Sequence, residues 1–165
     1  MSPPKQKPHR SVQDVRTPRE FLAAVQNRFG LLTWDYACTT DNCVGGVAHG
    51  YRIDCEEDAL NNSWHLHHGL GWLNPPFGKI APFAKKAAET AAANPLWRLA
   101  MLVPASIGST WFRKYVHGHA YVLALEPRLK FVGHDHAFPK DLILAVYQHG
   151  MKGFDTWRWD RREGA

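Results

Sequence analysis

The sequence predicts an α/β domain built on a mostly parallel sheet flanked by helices, and three observations carry that prediction. Helically spaced apolar residues alternate with short β-rich apolar runs along the chain, which is the order of βαβ units. The 165 residues suffice for one domain with a real core. With 45% hydrophobic and 21% charged residues, the composition is that of a globular chain and not of a coiled coil, a collagen-like repeat or a disordered protein. In a sheet of this kind ligands bind at the carboxyl ends of the strands.

Residues 1 to about 16 carry three prolines and several basic groups with almost nothing apolar, and read as a mobile basic arm. Thr17-Pro18-Arg19-Glu20 is a capping box with proline at the first helical position. Phe21, Leu22, Val25 and Phe29 follow at helical spacing until Gly30 closes the helix. Leu31–Ala37 has the character of a buried strand, and residues 38–68 read as a long polar loop, a length that usually serves a function. Gly69–Leu73 is a second strand, broken by Asn74-Pro75-Pro76-Phe77.

From Pro82, the positions Phe83, Ala84, Ala87, Ala88 and Ala91 mark a helix that Asn94-Pro95 ends. Trp97–Val103 is a strand, Thr110–His117 a short helix with Ser109 placed to cap it, and Ala120–Leu125 another strand. Leu129–Val132 and Leu142–Tyr147 complete the expected strands. The domain then spans 17–150, with 151–165 as a Trp/Arg-rich tail.

No apolar run is long enough for a membrane helix, and the opening residues hold no signal-peptide core, so a cytosolic protein with no membrane partner is expected. Cys38, Cys43 and Cys55 cannot all pair within one chain, which excludes a disulfide scaffold. Twenty Lys plus Arg against fifteen Asp plus Glu give a net charge of +5, an excess that suits a polyanionic partner. Seven tryptophans, some interleaved with cations as in Trp111–Tyr115 and Trp157–Arg162, can lay flat faces on bases while the cations hold phosphates. The same residues can equally be core tryptophans beside solvated charges.

Asn74-Pro75-Pro76-Phe77 falls after a strand and before a helix, where such a sheet does its chemistry. Its residue types suit methylation of an exocyclic amine, whose lone pair is delocalised into the base and must be recovered before it can attack. The Asn74 side-chain oxygen and the Pro75 carbonyl can each accept one N–H, favouring tetrahedral nitrogen and the positive charge that develops there. The prolines lack N–H groups and fix φ, which keeps the acceptors rigid. Phe77 supplies a stacking face for a base taken out of a duplex.

The chain resembles the small, phage-type DNA N6-adenine methyltransferases over residues 17 to about 147. The resemblance rests on an ordered series: Thr17-Pro18, Asp35-x-Ala37, Asn42, Asp58-x-Leu60 followed by Trp64, Asn74-Pro-Pro-Phe77, Leu102-Val-Pro-Ala105, Trp111-Phe112, Arg128-Leu-Lys-Phe131 and Phe138-Pro139. It implies a Rossmann-like class I methyltransferase fold, S-adenosylmethionine as methyl donor and a flipped adenine in DNA as substrate. Asn74, Pro75, Pro76 and Phe77 match the catalytic motif, in which Asn and Phe are both permitted. Thr17 and Pro18 then correspond to the cover of the cofactor's methionine end, Asp35 and Ala37 to the strand end reaching its amino acid or ribose, and Asp58 and Leu60 to the site of its adenine. The series departs from the family at two places: no Phe-x-Gly-x-Gly follows the first strand, and Cys38 stands where alanine is expected.

Arg113, Lys114, Arg128, Lys130 and Arg158, with Arg161 and Arg162, are cations close to aromatics after the catalytic motif and are the expected phosphate contacts. Cytosine-N4 methylation uses the same acceptor logic, and a catalytically silent nucleic-acid-binding module on this fold is the reading from another class. His65, His67 and His68 with Cys43 and Cys55 lack the Cys-x2-Cys spacing of a zinc site, so no metal is expected. No Gly-x-Ser-x-Gly elbow accompanies Ser106, which leaves a serine hydrolase without support.

Overall fold

The structure, a computed structural model, describes residues 15–38, 50–52, 59–64 and 68–159. Pro18 opens the first helix, α1 (Arg19–Phe29), with its carbonyl accepting from the N–H groups of Phe21 and Leu22 at 3.1 and 3.2 Å. Helical geometry therefore starts one residue later than the capping box predicts, and no side chain caps this end. A proline ring fixes only φ, and the ψ of 140° at Pro18 leaves it extended. Gly30 ends α1 at φ 105°, and the Gln26 side chain accepts from the Leu32 N–H at 3.1 Å, which leads the chain into β1 (Leu32–Cys38).

The remaining elements are β2 (Gly50–Arg52), β3 (Leu70–Leu73), α2 (Ile80–Ala93), β4 (Arg98–Pro104), α3 (Thr110–Tyr115), β5 (Tyr121–Glu126), β6 (Leu142–Tyr147) and β7 (Gly153–Arg158). The strands form one sheet in the order β2-β1-β3-β4-β6-β5-β7. Parallel pairing joins β2 to β1, β1 to β3, β3 to β4 and β5 to β7, while β6 is antiparallel to both β4 and β5. Two reversals cancel, so every strand except β6 runs the same way. This is the mostly parallel α/β architecture expected.

Both faces of the sheet are covered, and the strands show it residue by residue. Leu99, Met101 and Val103 of β4, with Ile143, Ala145 and Tyr147 of β6, pack under Phe83, Ala84, Ala87 and Ala88 of α2 and Phe112 of α3. Ala100 and Leu102, with Leu142, Leu144 and Val146, share the opposite core with Phe21, Leu22, Val25 and Phe29 of α1. Period-two alternation therefore gives one apolar residue to each core in turn, and the central strands read as continuous apolar runs. Gly71 in β3 has a packing role: a Cβ there would lie 2.3 Å from Cε2 of Tyr36, so the absent side chain makes room for that ring.

Four expectations need correction. The stretch read as one loop over 38–68 contains β2, a three-residue strand too short to leave a periodic signal. Leu129–Val132 is not a strand of the sheet. Its alternation is real, with Leu129 and Phe131 buried and Lys130 exposed, but β5 already pairs with β6 and β7 and offers no free edge. Residues beyond 150 continue the domain: β7 adds an edge strand to β5, and Trp157 and Trp159 enter the core against Phe21 at ring-centroid distances of 5.8 and 4.9 Å. The aromatic faces of Trp157 and Trp159 are thus spent on packing, because the strand alternation turns them inward. Finally, α2 begins at Ile80 with Pro82 inside its first turn, where a missing N–H leaves no helical bond unmade.

The Ser109 cap is as expected, its Oγ accepting from the Phe112 N–H at 3.3 Å. Among the described residues no helix is long and apolar enough to cross a membrane.

Candidate functional site

The sheet order places a crevice at the carboxyl ends of β1 and β3. From β1 the chain crosses to β2 on one flank and then returns to β3 on the other, so the order reverses between β1 and β3. Such a switch point leaves space above the strand ends, because the two connections diverge. Asn74-Pro75-Pro76-Phe77 leaves the end of β3 at this place, and Asp35, Ala37 and Cys38 lie along the adjoining end of β1, with Asp35 in register with Trp72.

The Asn74 amide is held by an acceptor that comes from before α1. Its Nδ2 donates to the main-chain carbonyl of Val15 at 3.1 Å. Its Oδ1 is buried and has no hydrogen-bond donor among the described residues. Leaving such an acceptor unpaired costs about 1–3 kcal/mol, a cost that a bound donor removes.

The two prolines that follow are buried. The Pro76 carbonyl accepts from the Lys79 N–H at 2.8 Å and turns the chain into α2, while the Pro75 carbonyl has no donor among the described residues. Two acceptors adjacent in sequence, Asn74 Oδ1 and Pro75 O, thus have no donor among the described residues.

Phe77 is half-buried and forms an aromatic triad with Phe131 and Phe138. Its ring centroid lies 6.4 Å from Phe131 and 5.5 Å from Phe138, and those two rings lie 5.6 Å apart, all edge to face. Beside the triad a cleft of about 490 Å³ is lined by Phe77, Lys79, Pro104, Ser106, Trp111 and Lys140 among others. Phe131 and Phe138 belong to the β5–β6 connection, so the segment mistaken for a strand forms one wall of the site.

The residues matched to a cofactor are partly gathered here. Asp35 is 3% exposed, and its Oδ1 accepts from the Ala37 N–H at 3.0 Å, while Ala37 packs at the edge of the α2-side core. Thr17 and Pro18 follow Val15 and Arg16 directly, so the Val15–Asn74 bond brings that segment to the motif. Leu60 packs on the same core as Ala37, and its carbonyl accepts from Lys86 Nζ at 2.6 Å. Trp64, fully buried beside Tyr36 and Trp97, fixes this stretch by donating its Nε1–H to the Ala59 carbonyl at 2.8 Å. Asp58 and Asn42 lie outside the described residues.

The candidate phosphate contacts do not share one surface. Arg113 and Lys114 are exposed on the last turn of α3, which runs away from Asn74: the next residue, Tyr115, accepts through its carbonyl from Tyr147 Oη at 2.8 Å, at the opposite end of the sheet. Burial pushes the Tyr147 phenol far above its ordinary pKa, so it remains a donor. Arg128, Lys130 and Arg158 lie at the carboxyl end with the motif, but the Arg128 guanidinium is paired with Asp141 at 2.8 Å and with the Pro139 carbonyl at 3.3 Å. Lys130 and Arg158 are exposed, as are Lys79 and Lys140 at the cleft. Arg161 and Arg162 lie outside the described residues, as do His65, His67, Cys43 and Cys55; among the described residues no three metal-ligating side chains cluster.

Sequence reasoning did not find Val15, whose role is played by a backbone atom, or the use of Phe131 and Phe138, although Arg128–Phe131 and Phe138-Pro139 stood among the ordered pieces. Lys79 and Lys140 carried no signal, being ordinary surface lysines in sequence.

Two comparisons with known proteins bear on the site. The sequence model of the DNA N-6-adenine-methyltransferase (Dam) family matches residues 5–142. A DNA N-6-adenine-methyltransferase of Escherichia phage T1 is 29% identical over 120 residues, which are 72% of this chain and 48% of the phage protein. The chain therefore spans about half the length of that relative.

Proposed function

The chain belongs to the DNA N-6-adenine-methyltransferase family, and from that premise we propose that it transfers a methyl group from S-adenosylmethionine to the N6 amine of adenine in DNA. The observation that carries this reading is the buried, unpaired Oδ1 of Asn74 beside the unpaired Pro75 carbonyl. An exocyclic amine has two N–H groups, and these two acceptors fit them.

Accepting both protons holds the nitrogen toward tetrahedral geometry and restores its lone pair. As the nitrogen gains positive charge on attack, both contacts strengthen, which is stabilisation specific to the transition state. After transfer the nitrogen loses one proton to water. Phe77, steadied by Phe131 and Phe138, offers a ring against the base, and the cleft beside it gives an unstacked base somewhere to go.

The same reading assigns S-adenosylmethionine to Thr17, Pro18, Asp35, Ala37, Asp58 and Leu60. When bound, the cofactor supplies an electrophilic methyl group. The fit is supported by the buried Asp35 carboxylate at the carboxyl end of β1 and by the tie between the Thr17-Pro18 segment and the motif. Lys79, Lys130, Lys140 and Arg158 serve as phosphate contacts on the motif's side of the sheet, Arg113 and Lys114 on the last turn of α3 lie toward its other end, and the basic residues before Val15 act as a tether on the duplex. Such a protein works where the DNA is, in the cytoplasm of a bacterial cell.

Transfer of label from methyl-labelled S-adenosylmethionine to duplex DNA, followed by nucleoside analysis, tests the reading. Label in N6-methyladenine is expected. Label in N4-methylcytosine moves the substrate, and DNA binding without transfer replaces the enzyme by a binding module.

A further inference from the structure

We propose that the main-chain carbonyl of Val15 is the positioning group that sets which end of the Asn74 amide faces the substrate, and that it makes an amide, and not a carboxylate, necessary at position 74. The inference rests on the reading of Asn74 Oδ1 as an acceptor for the substrate amine. A carbonyl can only accept, so the group that meets Val15 O at 3.1 Å must be the amide's NH2. The oxygen is then turned to the other side, where it is buried and unpaired. The flipped amide would set oxygen against oxygen at Val15 and present N–H donors to the donors of the amine. One backbone contact thus selects the only productive rotamer.

Val15 is itself held from two directions. Three residues on, the Pro18 carbonyl caps α1 through Phe21 and Leu22. Next to it, the Arg16 carbonyl accepts from the Val132 N–H at 2.9 Å in an isolated antiparallel bridge. Val132 follows Phe131, which packs on Phe77. The stretch from Val15 to Pro18 is therefore a strap that joins the amide to the aromatic wall.

Asn74→Asp tests this because it preserves size and removes the N–H. A carboxylate at this position puts lone pairs against Val15 O, with the second oxygen buried. Charged and titratable groups on the surrounding elements are Asp35 on β1, Arg16 in the strap, Arg19, Glu20 and Arg28 on α1, Lys79 after the motif, and Arg128, Lys130, His134, Asp135, His136, Lys140 and Asp141 in the β5–β6 connection. All of these except Asp35 are exposed and screened, and Asp35 is buried, with its Oδ1 accepting from the Ala37 N–H. The introduced carboxyl is then favoured in its protonated form, whose O–H can donate to Val15 O.

A carboxyl whose pKa is raised on folding costs stability once the unfolded chain ionises it while the folded state still holds the proton. The deficit is absent below the unfolded value of about 3.9, grows as pH rises to the folded value, and is constant beyond it. Melting of the full-length Asn74→Asp variant across pH 5 to 8 should therefore show a gap below wild type that widens with pH. Its turnover relative to wild type should fall about tenfold per pH unit above the raised pKa, as the protonated form thins. A melting gap equal at pH 5 and pH 8 overturns the proposal. Asn74→Ala is the separate control: if it retains wild-type methyl transfer, the acceptor reading fails, whatever the melting of the Asp variant shows.

Discussion

Replacing Asn74 by alanine should separate function from stability, and the structure sets the size of both effects. On the stability side, the substitution removes a buried acceptor that has no donor, a relief of about 1–3 kcal/mol. Against this it deletes the Nδ2 bond to Val15 O, a typical hydrogen bond worth about 0.5–1.5 kcal/mol, together with some packing. Before the packing loss, the opposed terms leave the variant between about 0.5 kcal/mol less stable and about 2.5 kcal/mol more stable, and for a chain of this size each kcal/mol shifts Tm by about 2–4 °C. On the catalytic side, one of two preorganised acceptors is lost where charge develops. Deleting one such contact from a preorganised site lowers kcat by about 10²–10³. The assay pairs a thermal melt with methyl transfer from labelled cofactor at saturating DNA. A variant that melts well below wild type, or that turns over within tenfold of it, refutes the assignment of Oδ1 as an acceptor in the reaction.

Gly71→Ala should destabilise the fold by about 1–3 kcal/mol in denaturant titration, since the new Cβ would meet the Tyr36 ring at 2.3 Å in a packed core. Trp157→Ala should cost about 3–5 kcal/mol of stability while the folded fraction binds DNA with unchanged affinity; a stable variant with weakened DNA binding would return this tryptophan to the interface. In salt titrations of DNA binding, Lys130→Ala and Lys140→Ala should each flatten the logarithmic slope by about 0.9, and the Arg113→Ala/Lys114→Ala pair should overlay wild type. Arg128→Ala should change stability by less than about 1 kcal/mol, because its partner Asp141 is exposed, and a larger loss in chemical denaturation would contradict that.

What was legible in the sequence follows from how local each signal is. Helices and central strands announce themselves by period and by caps, so α1, α3, β1, β3, β4, β5 and β6 lie within one or two residues of expectation. Edge pairing is not local. Gly50–Arg52 and Gly153–Arg158 are strands because they pair beside β1 and β5, and Leu129–Val132, which follows β5 directly, finds both sides of β5 taken by β6 and β7. The two readings of Trp157 and Trp159 stayed open in the sequence for the same reason, since an aromatic beside an arginine looks alike whether the strand beneath it faces the core or solvent. In the site, the place of the motif after β3 and before α2 was readable because its residue types and the strand and helix around it carry local signals. Val15 was not, because a main-chain carbonyl has the same chemistry in every residue and only the path of the chain places it beside Asn74.

The unpaired oxygen also discriminates between the two classes of function that the sequence left open. A module that only holds DNA draws its affinity from exposed cations and stacking rings, and Lys130, Lys140, Arg158 and Phe77 could serve it unchanged. Nothing in that task uses a buried acceptor without a donor, and the fold would be as stable or more so with alanine in its place. An enzyme acting on an amine needs that atom: a donor already on Oδ1 would have to be displaced before substrate could bind, and a solvated Oδ1 would exchange water for substrate with little gain. Burial keeps water off the oxygen, the Val15 carbonyl accepts from the amide's Nδ2, and the second proline ties the loop down through Lys79. Each of these features costs stability or restricts the chain, and all of them point one acceptor at one place. That pattern is what the proposed chemistry would use and what binding alone would not require.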